Sequence, residues 1–599
     1  MKKYNGMNVF CRIFRQTMRA VPGSGVIGIL NYVVKGAFPA ITALIVANLF
    51  QNISLLIDGE STLKTVIGYA VLWILSFAVV YILELIASIT INAGIYERCS
   101  GYFRELIAEK SARLRLIDYE NADILNMRTK AMDCVNREIP SQIFMTVTLF
   151  LTGGFSIIST IAVLSAYNIL FLPISLLSVI PFLVARIIRG KDFYQVRNGQ
   201  APLLRKQQYL WSLFISTKAM KEMRVMGSGE YLQRSWETTR DEVNAQLRDQ
   251  TIKDGRSLLF CDLLKILGYC GSLLLALYLT AAGQIQFGAF SACIAAFAAV
   301  QDATKAFLIE IGGLSGKNAF AKDLFMFLDI QEDTGIIGNE GETPRSTSAP
   351  VSIQLDHISF SYPKQSKKAI DDVSIRILPG KATVIVGENG SGKTTLAKLI
   401  LGMYLPSLGM VSVNGRMMNE TTKSYLYMQS TVVQQEYARY CLSLREAVAL
   451  SDLSLAQDDS RIRNALVENG LSELNGVDLS TQLGRDFDGI GLSGGQWQKI
   501  ALARGMFRDA SLVILDEPTS AFDPLIEMDT LKRFLALAQN KTSIIISHRV
   551  GLCKYADQIV VMKNGKVCET GTHAELLHKH GEYYQLYSAQ SKWYQDRVE

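Results

Sequence analysis

No C-x-x-C pair occurs anywhere in the 599 residues, and the nine cysteines are scattered from Cys11 to Cys568. That excludes a zinc ribbon and a disulfide framework, and reads as reduced, small apolar side chains. There is no arginine-rich block and no aromatic RNA-recognition motif, and the net charge is only +6 with a pI near 8.6. Nucleic acid is therefore not an expected partner. The basic, amphipathic start, "MKKYNGMNVFCRIFRQTMRA", precedes the first apolar run without a signal-peptide cleavage site.

What the chain does have is apolar residue, 49% of it, with a mean hydropathy of +0.18. These residues concentrate before about residue 320, in runs near the roughly 20 residues that a bilayer helix needs. Six are predicted: Val26–Phe50, Val66–Ile91, Ile143–Leu164, Ile169–Ile187, Leu258–Ala281 and Phe287–Leu314. A short turn near Tyr167-Asn168 joins the third and fourth, and "AAGQIQ" joins the fifth and sixth. The two long polar stretches between spans two and three, and four and five, carry most of the Lys and Arg of residues 1–330, including Arg98, Arg113, Arg137, Arg189, Arg205 and Arg224. The positive-inside rule puts these stretches and both termini in the cytoplasm. They are rich in helix formers, so the membrane helices are expected to continue outward as long rods. Seven ionisable residues fall inside or near the spans: Lys35, Glu84, Asp262, Lys265, Asp302, Lys305 and Glu310. The i,i+3 spacing of Asp262 with Lys265 and of Asp302 with Lys305 predicts neutralisation within each helix, with substrate contact the other reading.

At about Gln331 the character changes. Residues 331–350 are polar and rich in Gly, Ser, Thr and Pro, and read as a linker between a membrane domain (1–330) and a second domain (351–599). In the second domain short β-rich runs alternate with helical patterns, as in "ATVIVG", "SLVILD", "TSIIIS" and "QIVVM". This predicts an α/β fold with a mainly parallel core sheet.

The chemistry lies there. "TVIVGENGSGKTTLAKLI" is a strand, then G-x-x-x-x-G-K-T, then a helix. Gly387, Glu388, Asn389, Gly390, Ser391, Gly392, Lys393, Thr394 and Thr395 form the phosphate loop and its helix start. Backbone N–H groups wrap the phosphates, Lys393 reaches the β- and γ-phosphates, and the Thr394 hydroxyl is offered to Mg²⁺. "SLVILDEP" ends in Asp516, suited to holding Mg²⁺, and Glu517, suited to orienting the attacking water. His548 ends the strand of "IIISHR" and is a candidate γ-phosphate contact. A second glycine-rich phosphate motif, "GLSGGQWQK", lies about 100 residues beyond the first.

"LSGGQ", Leu492–Gln496, combined with a P-loop and "LDEPTSAFD", resembles the ATP-binding cassette (ABC) exporters of the half-transporter type. The resemblance covers essentially the whole chain. It implies six membrane helices fused to one nucleotide-binding domain, a second half-transporter as partner (another copy of this chain, or a different subunit), and ATP with Mg²⁺ as ligands. In that family two nucleotide-binding domains pair head to tail, so Ser493, Gly494, Gly495 and Gln496 would close on the ATP held by the partner. Tyr362 matches the aromatic that stacks on adenine, and Gln435, beside Gln434, matches the glutamine that reaches Mg²⁺. Asp523 matches the loop that touches the partner; Phe522 stands where the family more often has Leu. "RDFDGIG", Arg485–Gly491, departs from the commoner "GERG"-like form. Asp118–Asn126 and Ser216–Val225 resemble the two coupling helices. "LSGGQWQKIALARGMFRDASLVILDEP" and "QQEYARYCLSLREAV" resemble lantibiotic and other modified-peptide exporters of Gram-positive bacteria, and the chain has no room for an N-terminal peptidase before its first span. A multidrug or lipid exporter shares every ATPase motif, and a non-transporting membrane ATPase is the reading from another class. The expected place is the cytoplasmic membrane, with the nucleotide-binding domain inside.

The loop charges make a topological prediction. In intact cells, with the native cysteines removed, a single cysteine at Arg113 should resist a membrane-impermeant thiol reagent, and one at Gln284 should react. External labelling at position 113 would overturn the six-span topology.

Overall fold

A computed structural model describes residues 6–171, 173, 174, 177, 200–333, 349–517 and 540–595. The chain divides into two compact units, one of residues 1–110 and 126–330, the other of residues 111–125 and 331–599.

The first unit is helical. Its described helices are α1 (Gly6–Ala20), α2 (Pro22–Ile57), α3 (Leu63–Ile89), α4 (Glu97–Ala112), α5 (Ala122–Asn136), α6 (Ile139–Tyr167), α7 (Ala201–Ile215), α8 (Thr217–Met226), α9 (Gly229–Ala281) and α10 (Phe287–Leu328). A π-helical turn, Thr90–Tyr96, carries α3 into α4 without a break. At 1.5 Å per residue, the 53 residues of α9 are about 80 Å long, far more than a bilayer is thick. Among the described residues five helical stretches are long and apolar enough to cross a membrane: Pro22–Ile57, Leu63–Ala112, Ile139–Tyr167, Asp262–Ala281 and Phe287–Leu328. The expected fourth span, Ile169–Ile187, lies largely outside the described residues. These helices leave many large apolar side chains exposed, among them Leu30, Ile74, Leu85, Ile158 and Leu267. Helices satisfy their own backbone polar groups, so lipid can cover such faces. Where α2 and α10 meet, the backbones nearly touch. A Cβ on Gly288 would sit 2.2 Å from the carbonyl oxygen of Ala47, so only glycine fits there.

The charges of the spans pair differently from the spacing-based expectation. Lys305 Nζ lies 2.8 Å from Asp262, and Lys265 Nζ lies 2.7 Å from Asp302. Both bridges run between α9 and α10, not along one helix. The two helices are antiparallel across the turn Ala282–Gln286, which puts Asp262 level with Lys305 and Lys265 level with Asp302. A lysine stem reaches a facing carboxylate more directly than one a turn away on its own helix, where both side chains point the same way. Lys35 likewise meets Glu84 of α3 at 3.2 Å, and Glu310 meets Lys317 at 2.9 Å with the Thr146 hydroxyl between them.

The second unit contains two sheets. The antiparallel one has the order β2-β1-β4-β5, with β1 (Ile353–Phe360), β2 (Ile370–Ile377), β4 (Leu408–Val413) and β5 (Arg416–Met417). The larger one has the order β10-β9-β3-β8-β7-β6, with β3 (Ala382–Gly387), β6 (Ser430–Val433), β7 (Leu512–Asp516), β8 (Thr542–Ile546), β9 (Gln558–Lys563) and β10 (Lys566–Gly571). All its pairings are parallel except β9 with β10. "VSIQL", Val351–Leu355, runs into β1 and so joins the antiparallel sheet. The helices are α11 (Lys393–Ile400), α12 (Glu420–Gln429), α13 (Leu444–Ala449), α14 (Asp459–Glu468), α15 (Gly494–Phe507), α16 (His573–His578) and α17 (Glu582–Gln595). The parallel strands are apolar on both faces, as a sheet covered on both sides requires. Ile385, Ile514 and Ile546 pack with α11 and the antiparallel sheet, while Val384, Val386 and Ile545 pack on the opposite face with Leu576 and Tyr583. A separate cluster of Leu444, Ile462, Leu466, Trp497 and Ile500 joins α13, α14 and α15.

Residues 111–125, though flanked by helices of the first unit, group with the second. Leu116 and Ile117 pack on its core, Glu120 accepts from the Tyr404 hydroxyl and from Lys398, and Asp123 pairs with Lys364 at 2.6 Å.

The interhelical pairing is tested by charge exchange. Asp262→Lys should lower the thermal stability of the purified protein, and adding Lys305→Asp should recover it, with a coupling energy of about 0.5–2 kcal/mol in the double-mutant cycle. Recovery by Lys265→Asp instead would mean that the pairing runs along α9.

Candidate nucleotide site

The end of β3 decides where an anion can bind. Gly387 has φ 152°, and a Cβ there would meet the carbonyl oxygen of Met562 at 2.2 Å. Only glycine lets the chain leave β3, pass β9 and re-enter a helix at Lys393. The first N–H groups of α11 then have no helical acceptor and face the loop's concave side. The Ser391 hydroxyl is buried in this loop with no hydrogen-bond partner, a donor waiting for an acceptor.

Around this loop is a cavity of about 530 Å³, lined by Tyr362, Asn389, Gly390, Gly392, Lys393, Thr394, Thr395, Gln435, Glu517 and His548, together with Gln365, Lys367, Lys368, Ala369, Asn564 and Gly565. The Lys393 ammonium is buried and donates to the loop's own carbonyls, Gly387 O and Glu388 O, both at 2.9 Å. Burial pushes its pKa below the ordinary lysine value, and the Glu517 and Asp516 carboxylates oppose that shift. A polyphosphate beside it would favour the charged form.

β7 delivers the carboxylates. Its pairing with β8 sets Asp516 opposite Ile546, two residues before His548, so the ends of both strands open on the same cavity. Asp516 is buried behind Thr394, whose hydroxyl lies 3.3 Å from Asp516 Oδ1. Desolvation raises the Asp516 pKa, and the Thr394 hydrogen bond works against it. Two hard oxygen donors side by side beneath a phosphate loop suit a Mg²⁺ ion, which prefers carboxylate, hydroxyl and water oxygen. Glu517 follows in the left-handed region, φ 48°, which turns its side chain out of the strand line into the cavity. Its carboxylate accepts from Gln435 Nε2 at 2.8 Å and lies 3.5 Å from His548 Nδ1.

Of the two neighbouring glutamines, Gln435 lines the cavity, while among the described residues Gln434 reaches the Met403 sulfur at 4.0 Å. Tyr362 is at the other end, half-buried. Its hydroxyl shares a hydrogen bond with Thr395 Oγ1 at 3.0 Å, and its ring packs edge-on against Phe360 and Tyr404.

Ser493, Gly494, Gly495 and Gln496 are not among the lining residues. They start α15, where Ser493 and Gln496 make a reciprocal capping box: Ser493 Oγ accepts from Gln496 N and Gln496 Oε1 accepts from Ser493 N. Ser493 and Gly494 are exposed, and a Cβ at either glycine would meet nothing within 4 Å. Asp523 lies outside the described residues. Lining residues that the motifs did not reveal are Gln365, Lys367, Lys368, Ala369, Asn564 and Gly565. The run "PKQSKK" directly after Tyr362 was their one local signal, a cluster of cations near an expected phosphate site.

The sequence profile of the ABC transporter family matches residues 370–520. The subtilin transport ATP-binding protein of Bacillus subtilis is 29% identical over 87% of this chain and 85% of its own length. The nisin transport ATP-binding protein of Lactococcus lactis subsp. lactis is 30% identical over 82% of this chain and 81% of its own. An ATP-dependent lipid A-core flippase of Methylococcus capsulatus is 32% identical over 55% of this chain and 54% of its own. In three dimensions the chain is similar to a bacterial Atm1-family ABC exporter with ATP bound, with a TM-score of 0.72 at 18% identity over 94% of this chain and 98% of that one. The phosphate loop, the paired carboxylates at the end of β7 and a similarity that runs through the membrane helices as well as the cassette have one reading in common: the chain belongs to the ABC transporter family, as an exporter half-transporter that couples ATP hydrolysis to transport.

Proposed function

We propose that the chain pairs with a second copy of itself in the cytoplasmic membrane, with termini and cassette inside, and exports a modified peptide. The observation that carries the peptide reading is the reach of the similarity. The subtilin and nisin transport proteins match over more than four-fifths of the chain, so the likeness includes the membrane helices, which meet the cargo. The lipid A-core flippases of Methylococcus capsulatus and Haemophilus ducreyi match over 55% and 45% of the chain, and a lipid or multidrug exporter is the second reading.

In this reading Tyr362 stacks on the adenine of ATP, and Lys393 leaves its two loop carbonyls for the β- and γ-phosphates. Thr394, Asp516 and Gln435 would hold Mg²⁺, which would neutralise charge on the β- and γ-phosphate oxygens. Glu517 accepts the proton of the attacking water, the Gln435 amide orients its carboxylate, and the His548 ring contacts the γ-phosphate. Ser493, Gly494, Gly495 and Gln496 serve the partner's ATP. The exposure of Ser493 and Gly494, and the absence of all four from the lining of this chain's own cavity, support that assignment. The exposed Val225 and Met226 at the end of α8 fit a tip that presses on a partner.

The test is reconstitution in proteoliposomes. A modified precursor peptide should stimulate ATP hydrolysis several-fold and accumulate inside inverted vesicles only with ATP. Glu517→Gln should keep ATP binding while cutting turnover at least about 100-fold, the scale of losing a positioned base. Stimulation by lipid or drug and none by peptide would overturn the substrate reading; Glu517→Gln turning over within a few-fold of wild type would overturn the role of Glu517.

A further inference from the structure

His548 is half-exposed, and among the described contacts its ring has one polar neighbour, Glu517 at 3.5 Å. The position of the ring therefore depends on its backbone. On the upstream side that backbone is tied to the sheet, because Ser547 N donates to Ile385 O of β3 at 3.1 Å. On the downstream side the anchor comes from the far end of the chain. The side-chain amide of Gln590, on α17, donates from Nε2 to His548 O at 2.6 Å and accepts at Oε1 from Val550 N at 2.9 Å. One planar carboxamide thus bridges the residues on either side of Arg549.

A carboxamide is the side-chain group that offers a donor and an acceptor a fixed distance apart in one plane. A carboxylate in its place could still accept from Val550 but would turn a lone pair toward the His548 carbonyl. The helix that carries the amide is itself firmly held. Tyr583 is fully buried, and its hydroxyl lies 2.6 Å from His573 Nδ1. Glu569 accepts from the backbone N–H groups of Glu582 and Tyr583, both at 3.0 Å, and Lys563 pairs with Glu582 at 2.7 Å. Gln590 lies two turns beyond these anchors on the same helix.

We propose that Gln590 is a positioning residue for ATP hydrolysis: through its amide, α17 fixes the loop that aims His548 at the γ-phosphate. This rests on the reading of His548 given above. The plainer alternative is that Gln590 only caps the short helix Val550–Tyr555, whose first N–H it binds. The two differ in which of the amide's bonds matters.

The experiment compares Gln590→Met, Gln590→Glu, His548→Ala and the double variant His548→Ala/Gln590→Met, each as the full chain reconstituted in lipid. Turnover, equilibrium ATP binding and melting temperature are measured. Gln590→Met is close in shape and loses both bonds; Gln590→Glu keeps the acceptor for Val550 and loses the donor to His548. Both should lower kcat at least about fivefold, the order of effect of a misaligned catalytic group, with ATP affinity within about twofold of wild type. In the His548→Ala background Gln590→Met should cost nothing further. Wild-type turnover in Gln590→Glu, or a loss in the double variant that multiplies the two single losses, would overturn the proposal and leave Gln590 as a cap. Wild-type turnover in His548→Ala would overturn the His548 reading and this inference with it, an outcome distinguishable from failure at Gln590 alone.

Discussion

The turn between β3 and α11 leaves backbone N–H groups without helical acceptors, and an anion is what satisfies them. The rest of the cassette follows from keeping that turn open and surrounded. Gly387 lets the chain pass within van der Waals contact of β9. β8 and β9 flank β3 on either side and fix its height, and β7 lies one strand further out, so Asp516 and Glu517 reach the phosphates from beside the loop. The apolar strands buried on both faces are what make this frame stiff enough to hold carboxylates near an anion without collapsing on it. A lysine held by two loop carbonyls and a serine hydroxyl with no partner show polar groups already arranged for phosphate.

The membrane half obeys a different solvent. Its helices expose apolar faces that lipid would cover; Lys35, Lys265 and Lys305 each meet a carboxylate on another helix, while Lys317 meets Glu310 along α10. A charge left alone within a membrane span would be costly, so matching Lys265 to Asp302 and Lys305 to Asp262 also fixes the register of α9 against α10. The segment 111–125 belongs by sequence to the membrane half and by packing to the cassette. Glu120 holds both Tyr404, whose ring packs against Tyr362, and Lys398 of α11. Asp123 holds Lys364, two residues after Tyr362. These bonds tie the segment to residues around the nucleotide cavity.

The parts legible in the sequence are those in which chemistry and backbone are contiguous. The phosphate loop, Asp516-Glu517 and His548 each lie at or just past the end of a strand, so a short motif carries both the residue and its placement. What the sequence hid are meetings of distant residues. Asn564 and Gly565 come from the β9–β10 turn and Lys367 and Lys368 from the approach to β2, so no local spacing brings them to the phosphate loop. The partners of the span charges are also hidden, because i,i+3 spacing is visible within a helix while the facing helix is not. Counting back from the Ala282–Gln286 turn would have shown Asp262 level with Lys305. Gln435 could not be separated from Gln434 by pattern alone, since adjacent residues differ only in which way the chain turns after β6. Gln590 had no signal at all: a glutamine in a C-terminal helix looks like solvent-facing surface until the His548 loop is folded beneath it.

That one chain should carry two phosphate motifs is explained if Leu492–Gln496 completes the site of its partner, and the most direct measurement is nucleotide trapping in tandem-linked dimers. Lys393→Ala in one half and Ser493→Arg in the other place both lesions in the same composite site and leave the second site whole. The same two changes in a single half put one lesion in each site. The first arrangement should retain appreciable ATP-driven trapping and the second none, because a bulky arginine obstructs a phosphate site built from backbone N–H groups. Equal trapping in both arrangements, with the wild-type linked dimer trapping normally, would contradict the shared site.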